Sequence, residues 1–341
     1  MPQTDEVAVR FYQPLFEDDV DQGDPYALVM PPTVRARFRY YVYTTGEDPT
    51  DGTAFPIYGS DDLIAWHRLG QALRVGRASA HWAPCVRYVP GLDRPYVMLY
   101  SRAVGVGEEG HVGHAIRRAD ATQPEGPFVD SGHVLTADLD FAIDPDVYRL
   151  PDGSLKIAFA MDFVADEPYG TGIVEADIDE ALTELRSAPR VLARPQFDWQ
   201  VYEPARVMPW KTIRDIDWSR HKVRWHTIEA PVGGLVSPQG KRVYLYSGGC
   251  FYNFYAVGAL VDDGSGQEWD VTDGVRNFVI RPEPEKGFFG PGHCSWLRTP
   301  DGSDYLLLHA RFGSPDARRQ MCLAPLLWAA DGLPATGPVP R

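Results

Sequence analysis

The sequence predicts an all-β fold, a five-bladed β-propeller, on three observations. A short Pro-bearing motif recurs five times: GDP (23–25), APC (83–85), IDP (143–145), EAP (229–231) and GPGH (290–293). Each motif is followed by a strand rich in Tyr, Leu and Val: FRYYVYTT (38–45), YVMLYS (96–101), LKIAFAM (155–161), RVYLYS (242–247) and DYLLLHA (304–310). The motif prolines Pro25, Pro84, Pro145, Pro231 and Pro291 are 59, 61, 86 and 60 residues apart. A repeat near that length, with several short strands per copy, is how a propeller is written in sequence.

The elements follow in order. The first and second copies carry outer hairpins over 58–73 and 117–135, short alternating runs bounded by Gly, Pro and Asp. The third has the turn PDGS (151–154) before its strand and an outer hairpin over 174–192, in which IDEALTELRS (178–187) reads as one or two helical turns at the blade edge. SPQGK (237–241) and TPDGS (299–303) place the same Gly-bearing turn in the fourth and fifth copies. The long step before the fourth motif reflects an insertion over 195–226, Trp-rich and of mixed charge, expected on the face that carries the site. No linker or low-complexity segment interrupts 1–341, so one domain is expected.

Composition narrows the function. The 341 residues are 44% hydrophobic and 12% aromatic, enough for a sizeable core. A net charge of −14 argues against nucleic acid or an anionic membrane surface as partner. No run of 18 apolar residues is present. Cys85, Cys250, Cys294 and Cys322 match no metal spacing and read as buried free thiols. With no basic-then-apolar leader at the N-terminus, the expected location is cytoplasmic. Oligomeric state is left open.

Equivalent positions of successive blades point at one axis, so Asp24, Asp144 and Glu229 should converge. Two carboxylates flanking a sugar can hydrolyse a glycosidic bond, one as acid and one as base or nucleophile, and a third carboxylate can raise the acid's pKa. No Gly-rich phosphate loop, GxSxG, HExxH or Cys/His zinc set competes.

Over roughly residues 20–335 the chain resembles glycoside hydrolase family 43, a family of five-bladed propellers. GDPYALV (23–29), WAPCVRYV (82–89), FAIDPDVYRLPDGSLKI (141–157), TIEAPVGGLVSPQGKRVYLYSGG (227–249) and GPGHCSW (290–296) carry the likeness in the expected order. It implies Asp24 as general base, Glu229 as general acid and Asp144 as the residue that tunes and orients the acid. It also implies a channel-facing His293 that helps hold a calcium ion or a water, and no required cofactor. Trp82 and Phe141 are candidates to stack on a sugar. His226, Arg311 and Arg319 are further candidates for the pocket. The chain departs from the family in having Ala230 where EGP has Gly, and Glu203 in YEP (202–204) is a rival acid. Glu229 is preferred because the SPQGK turn and its strand follow it. The resemblance implies an inverting enzyme on pentose-containing oligosaccharides, foremost an α-L-arabinofuranosidase, and the missing leader favours a short imported substrate and so exo action. A β-D-xylosidase and a galactofuranosidase or galactanase are alternatives. A fructosidase-type propeller lacks its NDPNG-like motif here. A phosphorylase would need a phosphate cluster such as Arg206, Lys211 and Arg214. A non-catalytic carbohydrate-binding propeller is the reading from another class.

Overall fold

The computed structural model describes residues 9–48, 51–75, 80–103, 113–207, 212–213, 216–217, 222–262, 268–272 and 277–340. Five antiparallel sheets succeed one another along the chain, and a short parallel pairing of Gly170 with His226 and Thr171 with Thr227 joins the third to the fourth. The first holds β1 (Gly23–Val29), β2 (Tyr40–Thr45), β3 (Glu47–Asp48), β4 (Thr53–Ser60) and β5 (His67–Arg74). The second holds β6 (His81–Tyr88), β7 (Tyr96–Ala103), β8 (His114–Ala121) and β9 (Val129–Val134). The third holds β10 (Ala142–Arg149), β11 (Leu155–Phe163), β12 (Gly170–Asp177) and β13 (Arg190–Ala193).

Next come β14 (Val201–Val207) and the two-residue pair β15 (Thr212–Ile213) and β16 (Ile216–Asp217). The fourth sheet is β17 (Lys222–Val236), β18 (Arg242–Cys250), β19 (Phe254–Asp262) and β20 (Glu268–Asp270). The fifth is β21 (Phe288–Arg298), β22 (Asp304–Phe312) and β23 (Gln320–Pro325), followed by the small pair β24 (Leu327–Trp328) and β25 (Pro334–Ala335). The fold is a five-bladed β-propeller.

The strands after the motifs read as unbroken apolar runs because both of their faces are buried between blades. In β2, Tyr41 and Tyr43 pack toward Val86, Met98 and Tyr100 of the second blade. Tyr40 and Val42 pack toward Leu297, Leu307 and Leu323 of the fifth. Three more layers join blades two and three around Leu99 and Phe159, three and four around Tyr148 and Tyr244, and four and five around Leu245 and Leu308. Five layers for five interfaces close the ring. Each fully buried Tyr or Leu contributes about 1.5–3 kcal/mol. The segment before β1 also bridges the seam, with Tyr12 N–H and Leu15 N–H donating to the Leu323 and Met321 carbonyls at 2.8 and 3.0 Å.

The three Gly-bearing turns are one structure. Gly153, Gly240 and Gly302 have φ of 89°, 82° and 89°. The N–H of each donates to the carbonyl three residues back, on Leu150, Ser237 and Thr299, at 2.9 Å. The helical expectation for 178–187 is corrected: Ile178 bridges Leu185 in a hairpin tip. The Asp179 carboxylate accepts the Thr183 and Glu184 N–H groups, satisfying the backbone without a helix. All four cysteines are free and buried.

Candidate active site

Every innermost strand breaks register at its motif. The shifts fall at Gly23/Tyr26, Trp82/Cys85, Ile143/Asp146, Glu229/Val232 and Gly292/Ser295. The residue after the first of each pair takes a left-handed φ: Asp24 51°, Ala83 48°, Asp144 59°, Ala230 52° and His293 49°. The fifth motif therefore aligns on His293 and not on Pro291, which corrects the last step from 60 to 63 residues (293 − 230). Asp24, Asp144 and His293 are one structural position in three blades. Glu229 stands one residue earlier, at the position Trp82 holds in the second blade.

A second periodicity fixes these residues. Opposite the first member of each pair, on the neighbouring strand, stand Thr45, Ser101, Ala160, Ser247 and His309. Four of them accept the N–H of the left-handed residue in the next blade: Thr45 from Ala83 (2.8 Å), Ser101 from Asp144 (3.0 Å), Ser247 from His293 (2.8 Å) and His309 Nδ1 from Asp24 (3.1 Å). The last bond runs from blade five to blade one. Ala160 has no acceptor to offer. The Ala230 N–H donates instead to Asp144 Oδ2 at 3.1 Å. The missing hydroxyl thus ties Asp144 to the residue that follows Glu229.

One cavity of about 320 Å³ is lined by Asp24, Asp144, Glu229, Trp82, His293 and Arg319, among others. Asp24 is buried, which opposes ionisation, but the charges of His293 and Arg319 overcome this and hold its carboxyl well below the usual range. His293 Nδ1 and Arg319 Nη1 each lie 3.1 Å from Asp24 Oδ1. Burial and the nearby Asp24 charge push Asp144 up to about 6, against the attraction of His293. Burial and the Asp144 charge push Glu229 up to about 8. The Tyr255 hydroxyl, which donates to Glu229 Oε1 at 2.8 Å, pulls the other way. Burial alone would lower His293, yet the Asp24 and Asp144 charges raise it to about 9. Burial and the charge of Arg319 hold His309 well below the usual histidine range.

Two motif glycines admit the supporting groups. A Cβ on Gly23 would meet Arg319 Cζ at 2.1 Å, and one on Gly292 would meet Tyr255 Cε1 at 2.2 Å.

The predicted residues divide. The structure brings Asp24, Asp144, Glu229, His293, Trp82 and Arg319 together around the cavity. Trp82 also stacks on His114, with centroids 3.9 Å apart. Phe141 is not among the lining residues; it packs against the layer between blades three and four and edge-on to His114, with centroids 5.6 Å apart. His226 is buried in β17 with Nδ1 3.4 Å from the Tyr169 carbonyl, one residue before the lining Thr227. Arg311 is not among the lining residues; it donates to the carbonyl of the lining Phe251 at 2.9 Å. Glu203 is exposed on β14 opposite Trp225 and does not line the cavity.

His293 is engaged with two carboxylates. Among the described residues no group of three or more His, Cys, Asp or Glu is arranged to hold a metal ion. Calcium takes six to eight oxygens, waters among them; His293 supplies none of these, and its Nδ1 faces Asp24 at 3.1 Å. Of the phosphate cluster considered above, Lys211 and Arg214 lie outside the described residues.

Two described residues of the insertion line the cavity, both on β14. This strand pairs along the first half of β17, and its Tyr202 and Arg206 line the cavity. Tyr255, His309, Tyr202, Phe251 and Tyr252 escaped sequence reasoning. The position of His309, opposite the motif's first residue, could have singled it out.

The family model for glycosyl hydrolases family 43 matches residues 28–334. Among solved structures, the chain resembles a thermostable family-43 glycoside hydrolase (24% identity, TM-score 0.71, covering 94% of this chain and 95% of that one). It also resembles the α-L-arabinofuranosidase of Lactobacillus brevis (20%, 0.70, 97% of each). A third likeness is the xylan β-1,4-xylosidase of Bacillus halodurans C-125 (17%, 0.65, 94% of this chain and 56% of that one). No curated protein matches.

Proposed function

The chain belongs to glycosyl hydrolases family 43, and from that premise we propose that it hydrolyses a terminal pentoside with inversion, using Asp24 as base, Glu229 as acid and Asp144 to tune and orient the acid. The observation that carries this reading is the contrast between two carboxyl environments inside one cavity. Asp24 faces the cations of His293 and Arg319 at 3.1 Å, which hold its carboxyl low, whereas Glu229 is buried with Asp144 in the same cavity, which pushes its carboxyl up to about 8. Environments that drive two carboxyl pKa values apart assign base and acid. Asp24 takes a proton from water as the water oxygen bonds to the anomeric carbon. The glycosidic C–O bond breaks, its electron pair stays on the departing oxygen, and that oxygen takes the Glu229 proton.

A cavity of about 320 Å³ is small for a sugar site, at the low end of the ~300–1,000 Å³ range for ligand pockets, and suits an exo-acting enzyme. We take the glycone to be α-L-arabinofuranoside, as in the Lactobacillus brevis structure. The β-D-xyloside of the Bacillus halodurans structure is the second reading.

The test is hydrolysis of p-nitrophenyl α-L-arabinofuranoside, β-D-xyloside, β-D-galactofuranoside and β-D-fucoside by wild type and variants, with the product anomer followed by NMR. We expect the arabinofuranoside to be cleaved to the inverted anomer. Asp24→Asn should lose activity by about 10²–10⁴-fold, as removal of general base catalysis does. Glu229→Gln should lose a similar factor on a natural disaccharide, whose leaving group needs the proton. Glu203→Gln should match wild type. A retained product, or loss through Glu203→Gln alone, would overturn the assignment. Sugar affinity with no turnover on any substrate would leave a binding module.

A further inference from the structure

Resting on the assignment of Glu229 as the acid, we propose that Tyr202, Arg206 and the Phe251–Tyr252 pair form the aglycone subsite, and that it selects a leaving group carrying a carboxylate, such as a hexuronic acid residue. The departing oxygen takes its proton from Glu229, so the aglycone lies on the Glu229 side of the cavity. Tyr202 stands there: after burial, the Glu229 charge is the largest influence raising its hydroxyl pKa. Its ring is 6.2 Å from that of Phe251, which lies 4.0 Å from Tyr252. Tyr252 is 62% exposed, marking the mouth of the cavity. Arg311 holds the pair in place through the Phe251 carbonyl. Flat aromatic surfaces at a mouth accept the apolar face of a pyranose ring.

Arg206 supplies the charge selectivity. Its guanidinium sits 5.3 Å from the Tyr202 ring and 5.2 Å from the Trp225 ring, and it forms no ion pair among the described residues. The other two cations of the cavity, His293 and Arg319, both face Asp24. A half-buried guanidinium stacked on aromatics is preorganised to bind a carboxylate with two parallel hydrogen bonds. A neutral sugar would satisfy the rings but offer the guanidinium only uncharged hydroxyl acceptors, which bind it more weakly than a carboxylate does. All of this subsite comes from the insertion and from the turn after β18.

The test compares 4-carboxyphenyl and 4-(methoxycarbonyl)phenyl glycosides of whichever sugar the wild type accepts, using wild type, Arg206→Gln, Arg206→Lys and Tyr252→Ala. Comparing proteins cancels the intrinsic reactivity of the two phenols. The acid-to-ester ratio of kcat/KM should fall about tenfold in Arg206→Gln and partly return in Arg206→Lys. Tyr252→Ala should weaken both substrates together, mainly through KM. A ratio in Arg206→Gln within twofold of wild type overturns the proposal. If no glycoside is hydrolysed, the catalytic reading fails separately. Calorimetric binding of the arabinofuranosyl pair then decides: a ratio that Arg206→Gln lowers supports the subsite, and one it leaves flat overturns it.

Discussion

Asp144 acts on Glu229 through two different physical links. Its charge raises the Glu229 pKa, and its Oδ2 holds the N–H of Ala230, the very next residue. Only the first is lost in Asp144→Asn, since the amide oxygen can still accept. The alkaline limb of kcat/KM reflects Glu229 losing its proton and should fall near pH 8 in the wild type. Asp144→Asn removes a like charge and should move that limb to lower pH. Tyr255→Phe removes a hydrogen bond that favours the carboxylate and should move it to higher pH. Profiles of the three proteins check this, and shifts of the same sign would break the argument. Ala230 was legible as a departure from the family's Gly. Its consequence was not, because the left-handed φ of 52° and the bond to Asp144 belong to the folded backbone.

Among the strands, the recurrent device is a left-handed residue on an innermost strand whose N–H is taken by a side chain of the preceding blade. Thr45, Ser101, Ser247 and His309 play that part. Ser247→Ala should leave the His293 N–H unpaired and cost about 1–3 kcal/mol, the usual penalty for a buried orphan donor. Ala160→Ser adds a competing acceptor for the Ala230 N–H and should free Asp144, lowering kcat with the fold intact. Denaturant unfolding and kinetics of the two variants separate the effects. Ser247→Ala with unchanged stability would show that the device carries no energy. The motifs were readable as strings, and their strands and hairpins formed where the alternation and turn residues placed them. The insertion was readable as extra length expected on the face of the site, but not as a strand. That its β14 pairs with an extended β17 and presents Tyr202 and Arg206 to the cavity is a matter of register, set by contacts beyond the segment.

For the whole molecule, closure depends on the layer between the fifth and first blades and on the segment before β1. Tyr12 is buried and its hydroxyl donates to the Gly337 carbonyl at 2.6 Å, while Tyr12 and Leu15 N–H groups bond to β23. A chain beginning at Glu17 loses two backbone hydrogen bonds, worth about 0.5–1.5 kcal/mol each, and a buried aromatic worth about 1.5–3 kcal/mol. It should unfold about 2.5–6 kcal/mol more easily in urea while keeping its β-sheet circular dichroism. An unfolding midpoint equal to that of the full chain would show that the layered core closes the ring unaided.

By itself the sequence determined the class of fold, the five-fold repeat and the three acids at its motifs, because strand alternation, turn chemistry and motif spacing are local properties. It singled out Glu229 over Glu203 only through the turn and strand that follow. The tertiary structure decided what those acids do to one another. A carboxyl pKa depends on burial and on charges brought close by other blades: His293 and Arg319 hold Asp24 down, Asp144 raises Glu229, and Tyr255 and His309 arrive from strands with no motif at all. Those distances exist only once five separate segments share one axis.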